Sequence, residues 1–324
     1  MSNEWEIILT QTILYFILLV VILGVSANSL LIFLFIRHSK LRTGSNILIL
    51  NLAIADFFHI AINGIATFLV FNKFVIFSEF VCKLEESFRL TSVGVSVWSV
   101  VALSVHRYKT ITSNINISTM KLAQVFLAIV WISALGFAIP FSSRVTSGYG
   151  NRCMTTLNLK LVTLFSLLVY SLIPLSIMVF MYILTALKLK ESAETMPGER
   201  VGLEEQANAR RRGARVFVAL ALVSLFSYAP LLVMIFVNTW FGGSIKPIFL
   251  LFGALCHFTS SVANPVALCI TSKKIRTGVK SYILCSQLFG NVNMRRRLSD
   301  MSDFLVSWRI SRTRTGSGGD NVTV

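Results

Sequence analysis

The amino-acid sequence predicts an all-α fold, a bundle of seven transmembrane helices followed by a short amphipathic helix on the cytoplasmic side. Of its 324 residues, 55% are hydrophobic and only 14% are charged, which is too little polar surface for a water-soluble globule of this size. Apolar stretches of about 20 residues or more, the length of a helix that crosses the hydrocarbon core, recur along the chain. They cover residues 7–36, 46–71, 84–106, 121–141, 158–187, 215–240 and 247–271.

The first apolar stretch is interpreted as a retained membrane helix and not as a secretory signal. Acidic residues, Glu4 and Glu6, precede it in place of a basic segment, the apolar run is too long, and no small-residue cleavage site follows. We therefore expect a short extracellular amino terminus over residues 1–6 and a membrane domain over residues 7–271. Residues 272–288 form the predicted amphipathic helix. Residues 289–324 are expected to form a disordered cytoplasmic tail, in which Ser299 follows three arginines and is a candidate phosphorylation site.

Basic residues gather in every second loop and after the last span. By the positive-inside rule these segments are cytoplasmic, so we expect a multi-pass protein of the plasma membrane with its amino terminus outside. The same pattern accounts for most of the net charge of +16, and no nucleic-acid partner is expected. The residues concerned are Arg37, Lys40, Arg42, Arg107, Lys109, Lys121, Arg210, Arg211, Arg212, Arg215, Lys273, Lys274, Arg276 and Lys280.

The five cysteines have different expected roles. Cys82 at the start of the third span and Cys153 between the fourth and fifth spans lie on the extracellular side, where oxidation is favoured, and are expected to form a disulfide. Cys256 and Cys269 lie within the seventh span, where side-chain packing is the expected role. Cys285, on the basic segment after that span, is a candidate for S-palmitoylation, with an unmodified thiol as the alternative.

Short motifs occur throughout the membrane domain, at residues 24–28, 50–56, 106–108, 131, 174, 230 and 264–265. Their order and spacing resemble those of the rhodopsin-like G-protein-coupled receptors. Residues 81–84, 90–97, 173–177 and 264–268 are similar to the bombesin receptors, their insect relatives for CCHamide peptides, and the endothelin receptors. The resemblance implies a receptor, and not an enzyme, for a neuropeptide-like extracellular ligand. It also implies coupling to a heterotrimeric G protein through opening of the sixth helix, with arrestin and receptor kinases as further partners and no cofactor.

Several positions depart from the family pattern. His106 stands where the family usually has aspartate, and Tyr228 replaces the tryptophan of the Cys-Trp-x-Pro pattern. Bombesin receptors have basic residues where this chain has Asn238 and Ala254, and a glutamine where it has Arg89. The identity of their ligands therefore does not transfer, and an atypical receptor with weak or constitutive coupling is an alternative.

Arg89 is a charged residue in the outer half of the third span, about two turns below Cys82. One interpretation is an internal ion pair with Glu85 or Glu86. The other is a cationic anchor for an acidic side chain or a carbonyl group of a peptide. The complete set of ligand-binding candidates is Arg89, Glu85, Glu86, Tyr228, Asn238, Ala254 and His257. For His257, as for His59, a hydrogen-bonded core role is the alternative.

Asp56 lies inside the second span, where a carboxylate must be neutral, paired or bound to a cation. In the bundle that the resemblance implies, four polar side chains converge on it: Asn28, Ser96, Ser261 and Asn264. The functional interpretation is a sodium and water site that links the ligand pocket to the cytoplasmic face. The structural interpretation is a hydrogen-bond network that fixes helix packing.

The expected G-protein coupling residues are His106, Arg107 and Tyr108, with Tyr182 meeting Arg107 when the sixth helix swings outward. An aspartate before Arg107 would hold it through a charge-assisted bond, whereas histidine supplies no anion. The resting state is therefore expected to be leaky or sensitive to cytoplasmic pH, with loss of coupling as the alternative.

Two other classes of membrane protein fit the sequence less well. A transporter would show internal repeats and discontinuous helices around a midplane substrate site, and the sequence has no such symmetry. A membrane-embedded enzyme would need a paired base or a metal set, and no cluster of His, Cys and carboxylates has metal-ligand spacing.

Overall fold

The computed structural model describes residues 2–37, 43–74, 78–112, 119–148, 152–194, 200–242, 246–272 and 275–280, with the backbone alone for 2–3, 111, 189–194 and 200–218. The chain divides into two compact units, Met1–Ile275 and Arg276–Val324. Of the second unit only residues 276–280 are described, and they are helical. The amphipathic helix over residues 272–288 therefore stays a prediction. Cys285 and Ser299 lie outside the described residues.

Seven helices of the described residues are long and apolar enough to cross a membrane, which confirms the predicted bundle. We call them spans one to seven: Glu4–Arg37, Gly44–Phe71, Glu79–Thr110, Thr119–Ser142, Leu159–Lys188, Ala219–Phe241 and Pro247–Thr271. The underlying α-helices are Ser2–Arg37, Gly44–Phe58, Ile65–Phe71, Glu79–Thr112, Thr119–Ser142, Leu159–Leu167, Ile173–Glu194, Arg200–Phe241 and Pro247–Thr271.

Spans two and five each contain a π-helical turn, His59–Gly64 and Leu168–Leu172 respectively. π-Helical turns are rare overall, and many of those that occur lie at functional sites. The turn in span two buries the polar side chains of His59 and Asn63. Neither turn is predictable from the sequence, because the local apolar pattern is compatible with an ordinary α-helix.

Span three is the centre of the bundle. In its most apolar 18-residue stretch 78% of residues are buried, against 22–39% for the other spans. One hydrophobic cluster joins it to spans four, five and six through Leu90, Val93, Val97, Ala138, Tyr170 and Tyr228. A second cluster joins spans one, two and seven through Ile13, Leu14, Ile17, Val21, Ile60, Leu251 and Phe258.

A two-stranded antiparallel hairpin, Val145–Gly148 and Arg152–Thr155, lies between spans four and five. Its second strand contains Cys153, which is bonded to Cys82 with the Cα atoms 5.4 Å apart, so the predicted disulfide is confirmed. We call this the disulfide end of the bundle and the opposite end the Arg107 end. The all-α prediction did not include the hairpin, because its strands have only four residues each and no alternation of apolar side chains.

Candidate functional site

The centre of the bundle contains a carboxylate with two hydrogen-bond donors from other spans. Asp56 is fully buried in span two. Ser96 Oγ of span three donates to Asp56 Oδ1 at 2.7 Å, and Asn264 Nδ2 of span seven donates to Asp56 Oδ2 at 2.7 Å. A buried carboxylate without such partners would be very costly, so these bonds hold three spans in a defined arrangement.

Asn28 and Ser261 lie in the same polar layer but do not bind the carboxylate directly. Asn28 Nδ2 donates to the Ser261 carbonyl at 2.7 Å and to the Gly24 carbonyl at 2.9 Å. Pro265 explains the first bond, because it has no N–H with which to satisfy the carbonyl four residues earlier in its helix. The amide of Asn28 therefore replaces a missing bond inside span seven.

Three oxygen atoms of this polar layer are buried without a hydrogen-bond partner among the described residues, namely Asn28 Oδ1, Ser261 Oγ and Asn264 Oδ1. Buried polar atoms of this kind are usually completed by ordered water or an ion. Carboxylate, amide and hydroxyl oxygens such as these are chemically suited to a small hard cation such as sodium or to water.

Aromatic rings extend from the carboxylate toward the disulfide end. The Tyr228 hydroxyl donates to Ser96 Oγ at 3.4 Å, and the Tyr228 ring packs edge-on against His257 with centroids 4.6 Å apart. His257 in turn contacts His59 at 4.8 Å between centroids. All three rings are buried. The structure therefore brings Tyr228 and His257 together with the carboxylate network.

The π-helical turn adds a residue that the sequence analysis missed. Asn63 Nδ2 lies 3.0 Å from His59 Nδ1 and donates to the His59 carbonyl at 2.9 Å. His59 Nε2, Asn63 Oδ1 and His257 Nδ1 are buried without a hydrogen-bond partner in the part of the chain that the structure describes. The sequence shows an asparagine four residues after a histidine. It does not show the π-helical turn that buries both side chains.

Nearer the disulfide end, Arg89 forms an ion pair with Glu86. Arg89 Nε donates to Glu86 Oε2 at 2.8 Å and Arg89 Nη2 contacts Glu86 Oε1. The Arg89 side chain is 42% exposed and that of Glu86 is 12% exposed. Guanidinium has five N–H groups, so about three of them are not used by Glu86. Glu85 is half-buried beside them.

Two further predicted ligand-binding residues, Asn238 and Ala254, lie on spans six and seven. Asn238 is half-buried in span six. Ala254 packs against the hydrophobic cluster of spans one, two and seven. Their role in ligand binding stays a prediction.

A separate hydrogen-bonded group ties spans two, three and four together. Trp131 Nε1 donates to Asn51 Oδ1 at 2.9 Å, and Asn51 Nδ2 donates to Ser99 Oγ at 2.7 Å. These contacts position the half of the bundle nearer the Arg107 end. The acceptor of each bond belongs to a buried side chain, so the role of these bonds is helix packing.

At the Arg107 end, the His106 ring lies between spans two and four. Its Nδ1 lies 3.2 Å from Ser45 Oγ of span two, and its Nε2 lies 2.9 Å from the Thr119 carbonyl of span four. Arg107 Nε is buried without a hydrogen-bond partner among the described residues. Tyr108 is half-buried, and Tyr182 is 44% exposed.

Comparison with known proteins adds an independent line of argument. The sequence model described as "7 transmembrane receptor (rhodopsin family)" matches residues 27–267, which extend from span one into span seven. A rhodopsin of Sminthopsis crassicaudata is 27% identical to this chain over 289 residues, which cover 84% of the chain and 81% of that rhodopsin.

Proposed function

The chain belongs to the rhodopsin family of seven-transmembrane receptors, which are G-protein-coupled signalling receptors and not enzymes, and we propose that its ligand is a neuropeptide-like molecule. The proposal places the receptor in the plasma membrane with its amino terminus and its disulfide end outside. The motifs similar to the bombesin, CCHamide and endothelin receptors support a peptide ligand. The family membership sets the transporter alternative aside.

The observation that carries this proposal is that Arg89 is both ion-paired and partly exposed. A cation inside a membrane span is costly and is usually functional. Glu86 holds the guanidinium in one orientation through two contacts, while 42% of the Arg89 side chain stays exposed. A donor that is already oriented loses less entropy when it binds a carboxylate or a carbonyl group. Arg89 is therefore suited to anchor an acidic or carbonyl group of a peptide, with Glu85, Tyr228, Asn238, Ala254 and His257 as further candidates.

Activation would be a shift in population between a closed and an open Arg107 end. Pro230 lies inside span six and permits a kink there. The bond from Tyr228 to Ser96 links span six to the Asp56 layer, where sodium and water would bind in the resting state. A ligand drives the shift only as far as its affinities for the two states differ. The open end would receive a G-protein α subunit, and later arrestin or a receptor kinase.

A receptor with constitutive coupling is a second candidate, and one observation favours it. His106 supplies no carboxylate to Arg107, and Arg107 Nε has no hydrogen-bond partner within the described residues. The resting position of Arg107 is then held less tightly than in a receptor with aspartate at that place.

The test of the peptide proposal compares two single-charge variants of span three. Arg89→Gln should lower the potency of a peptide agonist at least about tenfold, the effect of losing about 1.4 kcal/mol of binding free energy. Lys83→Gln is the matched control, because Lys83 is a cation on the same helix whose partner is the exposed Glu79. Agonists come from a panel of amidated neuropeptides screened with a promiscuous G-protein reporter. Equal potency for Arg89→Gln and wild type, at equal surface expression, would count against Arg89 as the anchor.

A further inference from the structure

His106 has hydrogen-bond partners on both sides of its ring, each on a different span. The residue is 1% exposed. Nδ1 meets the hydroxyl of Ser45, the second residue of the helix of span two, and Nε2 meets the carbonyl of Thr119, the first residue of span four. A single residue of span three thus contacts the beginnings of two other spans.

The chemistry of the two partners fixes how this contact works. A carbonyl oxygen only accepts, so His106 Nε2 must carry a hydrogen and donate it to Thr119. The Ser45 hydroxyl both donates and accepts, so it pairs with His106 Nδ1 whether or not that atom is protonated. The bridge therefore forms with a neutral or a charged imidazole. An aspartate in this place would accept from Ser45, but in its ionised form it has no hydrogen for Thr119.

Gly44 gives independent support for the close approach of these groups. A Cβ atom built on Gly44 would lie 2.7 Å from the carbonyl carbon of Thr119 and 2.9 Å from His106 Nε2. Real Cβ atoms essentially never come that close to such atoms. Any other residue at position 44 would push span two away from the bridge.

We propose that His106 is a positioning residue that fixes the beginnings of spans two and four against the Arg107 end of span three. His106 then forms a structural bridge between spans. It also leaves Arg107 without an adjacent anion. The consequence for signalling rests on the proposed function, since these helix ends would frame the surface on which the G protein docks. The bridge itself does not depend on the identity of the ligand or of the G protein.

Two substitutions separate the two bonds of the bridge. His106→Asn places an amide oxygen near the position of Nδ1, so it keeps the Ser45 contact and loses Thr119. His106→Gln places an amide nitrogen near the position of Nε2, so it keeps Thr119 and loses Ser45. His106→Leu loses both bonds with little change in volume. Ser104→Ala is the matched control, because Ser104 is buried on the same helix and its Oγ donates only within that helix, to Val100 O at 2.9 Å.

The measurement is hydrogen exchange of the purified full-length receptor in lipid nanodiscs, without ligand or G protein, over residues 48–52 and 123–127. Each lost bond should speed exchange about fivefold in the segment that it held. His106→Asn should affect residues 123–127 alone, His106→Gln residues 48–52 alone, His106→Leu both segments, and Ser104→Ala neither.

Two outcomes would overturn the proposal. One is unchanged exchange in both segments for His106→Asn and His106→Gln. The other is a uniform acceleration over all spans, because it would mean that His106 contributes only general stability. If His106→Leu does not fold, the Asn and Gln variants still decide the question. Neither result depends on the peptide proposal, which Arg89→Gln tests separately.

Discussion

Ser96→Ala should destabilise the receptor far more than a comparable serine substitution elsewhere on span three. Ser96 Oγ donates to the fully buried Asp56 at 2.7 Å, and without it one carboxylate oxygen loses its donor. A hydrogen bond contributes about 0.5–1.5 kcal/mol between neutral groups and about 1.5–3 kcal/mol to a charged group, and leaving a buried partner unsatisfied costs about 1–3 kcal/mol. The contact from Tyr228 at 3.4 Å is long and adds little. We therefore expect a loss of about 2 kcal/mol in the free energy of unfolding.

The matched control is again Ser104→Ala. Ser104 is 4% exposed and Ser96 is 2% exposed, so the two substitutions remove the same hydroxyl from equally buried places. The Ser104 bond stays within its own helix, and its carbonyl partner keeps a backbone donor. Its loss should cost about 0.5 kcal/mol or less.

The assay is thermal unfolding of purified receptor followed with a thiol-reactive dye. Cys256 is half-buried and not in a disulfide, so it reports the opening of span seven. For a domain of this size, about 2 kcal/mol lowers the midpoint of thermal unfolding by about 3–4 °C, because the entropy of unfolding is about 2.1 cal/mol/K per residue. Equal midpoints for Ser96→Ala and Ser104→Ala would refute the argument that the carboxylate network holds the spans together.

Three further predictions concern other parts of the receptor. Cys153→Ser should reduce surface expression or ligand binding, since the hairpin loses its attachment to span three; free thiols at both positions in wild-type surface protein, found by mass mapping, would contradict this. Replacing sodium by choline at constant ionic strength should lower the thermal midpoint of wild type by about 3 °C and leave the midpoint of Asp56→Asn unchanged. An equal shift in both proteins would rule out a sodium site at this carboxylate. His106→Asp should lower ligand-free signalling about tenfold at matched surface expression, because an anion beside Arg107 favours the closed state. Equal basal signals over several G-protein reporters and a range of cytoplasmic pH would show that His106 does not set the resting equilibrium.

The sequence predicted what depends on composition and on local chemistry. Seven spans follow from the length of the apolar stretches, and the disulfide followed from two cysteines on one side of the membrane. The pairing of Asn28 with the Ser261 carbonyl was within reach, because Pro265 leaves that carbonyl without a donor. These three features depend on the chemistry of a few residues or on the composition of whole helices.

The sequence did not predict features that arise from packing between distant segments. His106 was interpreted through its neighbour Arg107, but its ring turns toward Ser45 and Thr119. A helix places consecutive side chains about 100° apart, so adjacent residues in the sequence face different neighbours. The π-helical turn at His59–Gly64 was not predicted for a similar reason, because packing against the surrounding spans determines which of its side chains are buried.

The most direct test of the central claim is a screen of amidated neuropeptides on cells that express the full-length receptor, read out as nucleotide exchange on a promiscuous G-protein α subunit. We expect at least one peptide to give a saturable response that is absent from untransfected cells, and its potency to fall about tenfold or more in Arg89→Gln while Lys83→Gln behaves like wild type. A receptor present at the surface that responds to no peptide of the panel, or one whose response is indifferent to Arg89, would contradict the proposal of a peptide ligand anchored by that arginine.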